Sequence, residues 1–553
     1  ENGWVYWSNW DGLADATSSI QMQRGLSAVN LATPSIGGTM NVITDPSAVG
    51  AGVRYKQEFG NDGFMKSTVS AATGTINGKY SFMGTLVRKK GDGLIKGTWT
   101  DAWAYYFGAA YQANPTNRFE LYVMGAPQRH GQNLYKQNIG AYSHEYAKSL
   151  DDYDPAALEV FKEAEDGRLY NENVNDINGT YQSAGLQWWN GGLHPRYSDQ
   201  FINERENYYH KPLANLNWYS QLSDNMNLFT TVYYSGGVGG GTGTYGSMGW
   251  DYSGPSRVVD WDATIERNKA NADGSRGILR NSVNTQWTVG AISKLNYKPT
   301  KAVDVNIGLD WRTAEINHFR EVRDLLGGAY YRNTASDFWT EEEQKRGLGD
   351  KIAYYNTNTV DWLGFYAQSE YSMGRLTAYG MGGYSMISHS YVDHFKDDGT
   401  GNELTIESGN IPGFQVKGGA QYSVLENLDV YGNVGYVSKV PIFDNVIDDV
   451  NGVKADNPEN EKFTSFELGT NWFAEKWTIK LSYYYTKWVD RAISRGVTLE
   501  NGDYAIIFLT GMNQLHTGLE FEAAYQPASW VRLGLAGAVA SLTYLADGTR
   551  HHK

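Results

Sequence analysis

The sequence contains no cysteine. That excludes a disulfide scaffold and thiolate metal centres, and it leaves the compartment open between reducing and oxidising. It also lacks any run of about 18 apolar residues, so no transmembrane helix is available. This absence does not exclude a membrane, because a spanning strand needs only about 10 residues and half of them can be polar. Proline is scarce, at 13 residues. Basic residues are outnumbered, and the formal charge of -14 argues against a nucleic-acid partner, which would want a basic face. No signal peptide is recognisable. The chain opens at Glu1 inside what reads as a folded segment, so a leader or more is expected to have preceded it.

What the chain does have is aromatic residues and glycine: 40 Tyr, 18 Trp and 63 Gly in 553 residues. Helix-rich folds do not look like this, whereas sheets with aromatic girdles do. The length exceeds one ordinary globular domain unless it forms one very large barrel.

From about residue 50 onward, apolar and polar residues alternate with the period of a strand. Trp477, Ile479, Leu481, Tyr483 and Tyr485 share one face, against Thr478, Lys480, Ser482, Tyr484 and Thr486. Val303, Val305, Ile307, Leu309 and Trp311 oppose Asp304, Asn306, Gly308, Asp310 and Arg312. Charges on the inner face imply a wet interior. Alternation alone fits both a sandwich and a lipid-facing barrel.

Connection lengths separate the two. The pattern gives about 17 strands, starting near Val53, Phe64, Tyr80, Ala102, Phe119, Leu213, Met226, Gln286, Val303, Asp361, Leu376, Phe414, Leu428, Phe463, Trp477, Leu515 and Val531. Every second connection is a tight polar turn, such as Asn114-Pro115-Thr116-Asn117, Ser223-Asp224-Asn225 or Leu425-Glu426-Asn427. The others are mostly long: roughly 131–207, 236–283, 315–357, 391–411 and 441–461. Short turns on one rim and long loops on the other are the mark of a transmembrane β-barrel. The fold expected is therefore all-β, a transmembrane antiparallel barrel. Bacterial single-chain barrels have an even strand number, so an odd count predicts an incomplete wall, broken off at Ala546-Asp547-Gly548-Thr549.

Residues 1–47 do not alternate in this way. Within them, Arg24-Gly25 is followed by the small-residue stretch Ala32-Thr33-Pro34-Ser35, then Ile36-Gly37-Gly38, then Met40-Asn41-Val42-Ile43-Thr44. This resembles the end of the plug domain of TonB-dependent outer-membrane receptors. Two later segments also resemble that family's barrel: Phe466-Glu467-Leu468-Gly469 after Pro458-Glu459, and His516-Thr517-Gly518-Leu519-Glu520-Phe521-Glu522 before Pro527. The resemblance implies a C-terminal plug fragment at 1–47 and a barrel over 48–553, with about 17 of 22 strands present. It implies that the closing strands, the first half of the plug and the segment that pairs with TonB lie outside the chain. It implies a charge cluster of Arg24 with Glu467 and Glu520, helping to seat the plug, with Gly25, Gly37 and Gly38 as the plug motif. A charge in a plugged lumen is partly desolvated and wants a partner. The plainer reading is that Glu467 and Glu520 are separate lumen-facing carboxylates.

The function expected is active uptake of a scarce solute across the bacterial outer membrane, coupled to TonB-ExbB-ExbD through the absent N-terminal segment. Siderophore-iron, haem, a glycan, a peptide and a cobalamin all remain open as the solute. Outer-membrane lipid and a surface lipoprotein are the further partners, and no cofactor is expected. A passive porin or structural barrel is the second reading, and an outer-membrane hydrolase the third.

Other motifs carry less. His144-Glu145-Tyr146-Ala147-Lys148 lacks the second His of a zinc protease helix. Gly236-Gly237-Val238-Gly239-Gly240-Gly241 lacks the Lys-Ser/Thr of a phosphate loop and reads as a flexible extracellular loop. Asp448-Asp449-Val450-Asn451-Gly452 resembles a calcium loop, but Ile447 fills the first ligand position. Carboxylate pairs such as Asp151 and Asp152 read as solvated loop rather than a hydrolase site. No catalytic residue and no metal site is assigned. Trp188, Trp189, Trp250 and Trp261 are candidate ligand contacts, since aromatic faces stack on sugars, porphyrins or aromatic chelates. His194, with His144 and His210, could ligate haem iron.

Overall fold

The computed structural model describes residues 6–10, 12–26, 32–134, 138–196, 201–449, 452–456, 458–498, 504–546 and 549–552. Its main feature is one antiparallel sheet curled into a barrel wall. Twenty-one strand segments belong to this sheet. Four of them continue a neighbour across a short break, so among the described residues the chain crosses the wall seventeen times. Each strand pairs with the next in the chain, from Gly52–Phe59 on Met65–Ile76 to Tyr504–Ala528 on Val531–Ala546. The pairings close a ring at an interrupted pair of strands. There Trp99–Asn114 holds both Asn117–Gly125 and Gln128–Gly131, which reach Met226–Gly246 through Leu213–Ser223 and Glu206–His210. Among the described residues, Gly52–Phe59 and Val531–Ala546 have no ladder between them, and both are exposed over most of their length.

The two faces of the wall differ in kind. Along Val303–Asp324, Ile307, Leu309 and Trp311 are 52%, 37% and 41% exposed, while the alternate Asn306 and Asp310 are 8% and 6%. Large apolar side chains thus face outward and polar ones inward, the inverse of a soluble barrel and the arrangement lipid requires. No described helix is long and apolar enough to cross a membrane.

The tight turns lie where the sequence places them. At Asn77-Gly78 both residues have positive φ, 50° and 64°, which is what a two-residue hairpin with the native strand twist demands. The opposite rim departs from expectation. Strands run far past the bilayer: Met226–Gly246, Gly277–Thr300 and Tyr504–Ala528 have 21, 24 and 25 residues. Only about 10 of these are needed to cross, so the wall projects well beyond the membrane. Gly236–Gly241 is consequently strand and not loop. Its glycines make room for neighbours lying across the strand: a Cβ on Gly239 would stand 1.9 Å from the Tyr209 ring, and one on Gly240 2.2 Å from the Ser282 carbonyl.

Above the projecting wall, the long connections pack on one another. Trp261, 1% exposed, heads the helix Trp261–Ala270, whose N-cap Asp260 accepts from the Ala263 N–H. Trp261 and Ile265 pack with Ile177, Ile202, Met248, Val259, Leu279 and Leu326. Asn268, fully buried, ties this helix to the wall by donating to the carbonyls of Gly277 and Leu326 and accepting from Arg276 N–H.

Candidate functional site

The N-terminal segment lies on the inner side of the wall. It contains the antiparallel pair Ser19–Arg24 and Gly38–Ile43, with Ser19 opposite Ile43 and Arg24 opposite Gly38. Its contacts reach strands all around the barrel. Lys66 pairs with Asp15 at 2.7 Å, and Ala16 packs on Met83, Tyr106 and Tyr122. Arg118 meets Asp45 at 3.3 Å, and the Tyr122 hydroxyl donates to the Thr44 carbonyl. On the far side Ala32 packs on Tyr366 and Met381, and its carbonyl accepts from Gln415 at 3.0 Å. The Thr33 hydroxyl reaches Asp310 at 3.4 Å, and Lys417, 2% exposed, donates to the Ser35 carbonyl.

Arg24 turns towards Tyr504–Ala528. Its Nη1 lies 3.4 Å from Glu520 Oε2, and its Nη2 donates to Glu522 Oε1. Glu467 is engaged differently. Its Oε1 accepts the Leu26 backbone N–H at 2.8 Å, and its Oε2 accepts from Asn433 at 3.2 Å. The carboxylates therefore divide the work: Glu520 and Glu522 meet the guanidinium, while Glu467 meets the backbone just after it. Glu522 was not singled out from sequence, although its i, i+2 spacing from Glu520 places both on one face. The Arg24 side chain is 53% exposed, so these ion pairs are screened and contribute at most about 1 kcal/mol.

Two of the three plug-motif glycines have a steric reason. Gly25 has φ +73°, and a Cβ there would stand 2.0 Å from Glu467 Oε1. Gly38 has φ +133°, with the Gln23 carbonyl 2.3 Å from the Cβ position. Gly37 faces open space. Between this turn and the wall lies a cavity of about 510 Å³ lined by Arg24, Gly37, Tyr484 and Glu520 among others.

The aromatic candidates lie apart from this seat. Trp261 is core, as described, and presents no face to a ligand. Trp250 is half-buried against the same cluster, under Arg257 at 4.4 Å. Trp188 and Trp189 lie on Leu186–Trp189, paired with Gly192–Pro195, so Gln187 stands opposite the exposed His194. Trp189 is flanked by the guanidinium groups of Arg129 and Arg323 at 4.4 and 5.0 Å, with Tyr208 edge-on at 4.3 Å. Glu206 bridges both arginines at 2.5 and 3.1 Å. Burial pushes Arg129 down to about 10, with Arg323 adding to the shift and Glu206 opposing it. Register puts Arg129, Glu206 and Tyr208 on the face opposite Asn207 and Gly241, away from the lumen. These tryptophans brace the outside of the projecting wall. His144 and His210 are held by the Phe161 carbonyl and the Tyr105 hydroxyl at 2.7 and 3.0 Å. Among the described residues, no group of three or more His, Asp or Glu is placed to hold a metal. Val450 and Asn451 of the calcium-like stretch lie outside the described residues.

A wall with lipid-facing apolar rows, long outer loops and a folded segment across its lumen defines an integral outer-membrane receptor barrel. The TonB dependent receptor-like, beta-barrel family matches residues 126–551, more than three-quarters of the chain. The chain belongs to this family of outer-membrane transport receptors. Solved structures share the fold. The ferric-catecholate import receptor Fiu of E. coli K12, in its closed form, superposes with a TM-score of 0.62 at 13% identity, covering 95% of this chain and 69% of that one. The ferric yersiniabactin uptake receptor FyuA of Yersinia pestis gives 0.60 at 14%, covering 96% and 67%. The siderophore receptor PiuA of Acinetobacter baumannii gives 0.59 at 11%, covering 96% and 70%. The chain thus spans about two-thirds of the length of these receptors. No curated protein matches it.

Proposed function

We propose that this chain forms the wall and inner gate of a receptor that actively imports a scarce solute across the outer membrane. Residues 1–47 act as the C-terminal part of a plug and residues 48–553 as barrel. Arg24, Glu467 and Glu520, joined by Glu522, hold the plug's Arg-Gly turn against the wall. The outer loops capture the solute, and TonB, energised through ExbB-ExbD, shifts the plug to let it pass. The solute is of the siderophore-iron, haem, glycan, peptide or cobalamin kind; the neighbours named for ferric siderophores favour iron chelates, and a surface lipoprotein would favour glycan or peptide.

The observation that carries this reading is that residues 12–26 and 32–46 lie within the lumen and are tied to opposite sides of the wall by separate polar contacts. Separate polar ties suit a part that must be released, because each contributes only about 0.5–1.5 kcal/mol net and can break on its own. A passive porin would need that space open. Two measurements on the full-length protein separate these readings. In planar bilayers the receptor gives little conductance until residues 1–47 are removed, whereas a porin conducts throughout. In cells, uptake from a panel of the named solute classes stops when TonB is deleted; uptake that persists unchanged would overturn the proposal.

A further inference from the structure

Most arginines of the projecting wall have a carboxylate. Arg196 meets Asp324 at 2.6 Å, Arg323 and Arg129 share Glu206, and Arg332 meets Asp273 at 2.9 Å. One group departs from this. Even-numbered residues of Val303–Asp324 face the lumen, since Asp310 touches the N-terminal segment, and unbroken pairing from Val305 to Val322 carries that face up to Arg320. Ser282 stands opposite Arg320, Arg280 lies two residues on, and Gly243 stands opposite Arg280. Arg205 reaches the same place from just before the strand Glu206–His210.

The three guanidinium groups converge. A Cβ on Gly243 would be 2.6 Å from Arg205 Nη1 and 2.8 Å from Arg280 Nη2, so both heads lie over the same bare backbone. Arg280 Nη1 donates to the Gly241 carbonyl and to Ser282 Oγ, both at 2.9 Å. Arg320 lies over the rings of Tyr245 and Tyr354, at 4.8 and 5.1 Å. These contacts fix the heads in place without neutralising them. Among the described residues neither Arg280 nor Arg320 makes an ion pair, and the Nε of each is buried without a hydrogen-bond partner. The nearby carboxylate is Glu204, 1% exposed and 4.0 Å from Arg205 Nε, with its Oε1 also accepting from Asn173. Among the described residues Glu204 is the acid beside these three cations, in a chain whose formal charge is -14. Burial first, and then Arg320 and Arg205, push Arg280 down to about 10. Like charges converging on one stretch of bare backbone favour a compensating anion.

We propose that Arg205, Arg280 and Arg320 form an anion-binding site in the outer mouth of the barrel, for a ligand bearing two or more carboxylate or phosphate groups. Guanidinium forks match the oxygens of either group in pairs, and three forks call for more than one such group. The site rests on the import reading for its role as a capture step, but its binding can be measured apart from uptake.

Isothermal titration of the full-length protein in detergent, at low ionic strength, uses citrate and pyrophosphate as probes and sorbitol as the neutral control. Wild type is expected to bind at least one of the anions and not sorbitol, with affinity falling as salt is added. The stronger anion tells carboxylate from phosphate preference. Arg280→Gln and Arg320→Gln should each weaken binding about tenfold or more, while Arg332→Gln should leave it unchanged. Absence of binding by both anions overturns the site. So does unaltered binding by the two variants, once heat-modifiable gel mobility shows that they are folded. Arginine-dependent binding without TonB-dependent uptake would uphold the site and sink the import reading. Uptake that survives both substitutions would do the reverse.

Discussion

At Gly25 two demands meet, a left-handed backbone and a carboxylate oxygen where a side chain would begin. We expect Gly25→Ala to weaken the seat of the N-terminal segment by about 1–3 kcal/mol. Arg24→Ala removes only exposed ion pairs and should cost under about 1 kcal/mol. Limited proteolysis of residues 12–46 in the full-length protein compares them: the glycine variant is cleaved faster, the arginine variant at nearly the wild-type rate. The reverse order would put the hold on Arg24 itself. On the outer surface, hydrogen bonds from Arg332 and then Tyr330 keep Asp273 below the usual carboxylate range. Its folded value lies below its unfolded one, so its contribution is present at neutral pH and is lost as pH falls through the folded value. Asp273→Asn should speed amide exchange over residues 325–350 at pH 7, and the difference should vanish in strong acid. A difference that persists there would mean the loop is held by other groups. The family resemblance grouped Arg24 with Glu467 and Glu520, and the need of a charge inside a wall for a partner agrees with that grouping. It could not assign Glu467 to the Leu26 N–H, since which acid meets a side chain and which a backbone depends on the turn at Gly25.

Strands entering from the inner rim were legible to within two residues, with Gly52 in place of Val53 and Asn117 in place of Phe119. Tyr80, Met226, Val303, Leu376, Leu428, Trp477 and Val531 each begin a strand as read, because a tight polar turn stands directly before them. Leu213 begins a strand as read and Met65 stands one residue after Phe64, but the longest strands entering from the outer rim begin earlier than the alternation suggests: Gly277 and not Gln286, Lys351 and not Asp361, Tyr504 and not Leu515. Alternation records lipid, and those residues lie above it, where the outer connections cover apolar side chains such as Ile278, Leu279 and Ile352. For the same reason the glycine run at 236–241 looked like loop. Gly239→Val should press on the Tyr209 ring and destabilise the projecting wall by about 1–3 kcal/mol, read as faster exchange on either side of it. Trp261 likewise looked available while its loop had no visible partner. Trp261→Ala should open the loop core at a cost of about 3–5 kcal/mol, with faster exchange over residues 247–276 and unchanged heat-modifiable mobility of the barrel. Lost solute binding without local opening would make Trp261 a ligand contact instead.

For the whole molecule, the central claim is that the segment across the lumen moves as the solute passes. These 553 residues contain no cysteine, so a disulfide between two of them is one that has been introduced. Thr33 of the N-terminal segment and Asp310 of the wall touch at 3.4 Å. Thr33→Cys combined with Asp310→Cys would join the segment to the wall when oxidised and free it when reduced. The measurement is TonB-dependent uptake by this double variant before and after reduction, with cross-linking verified on a gel. Uptake should be abolished in the oxidised state and restored by reductant, with either single variant unaffected. Full uptake through a completely cross-linked receptor would contradict the claim.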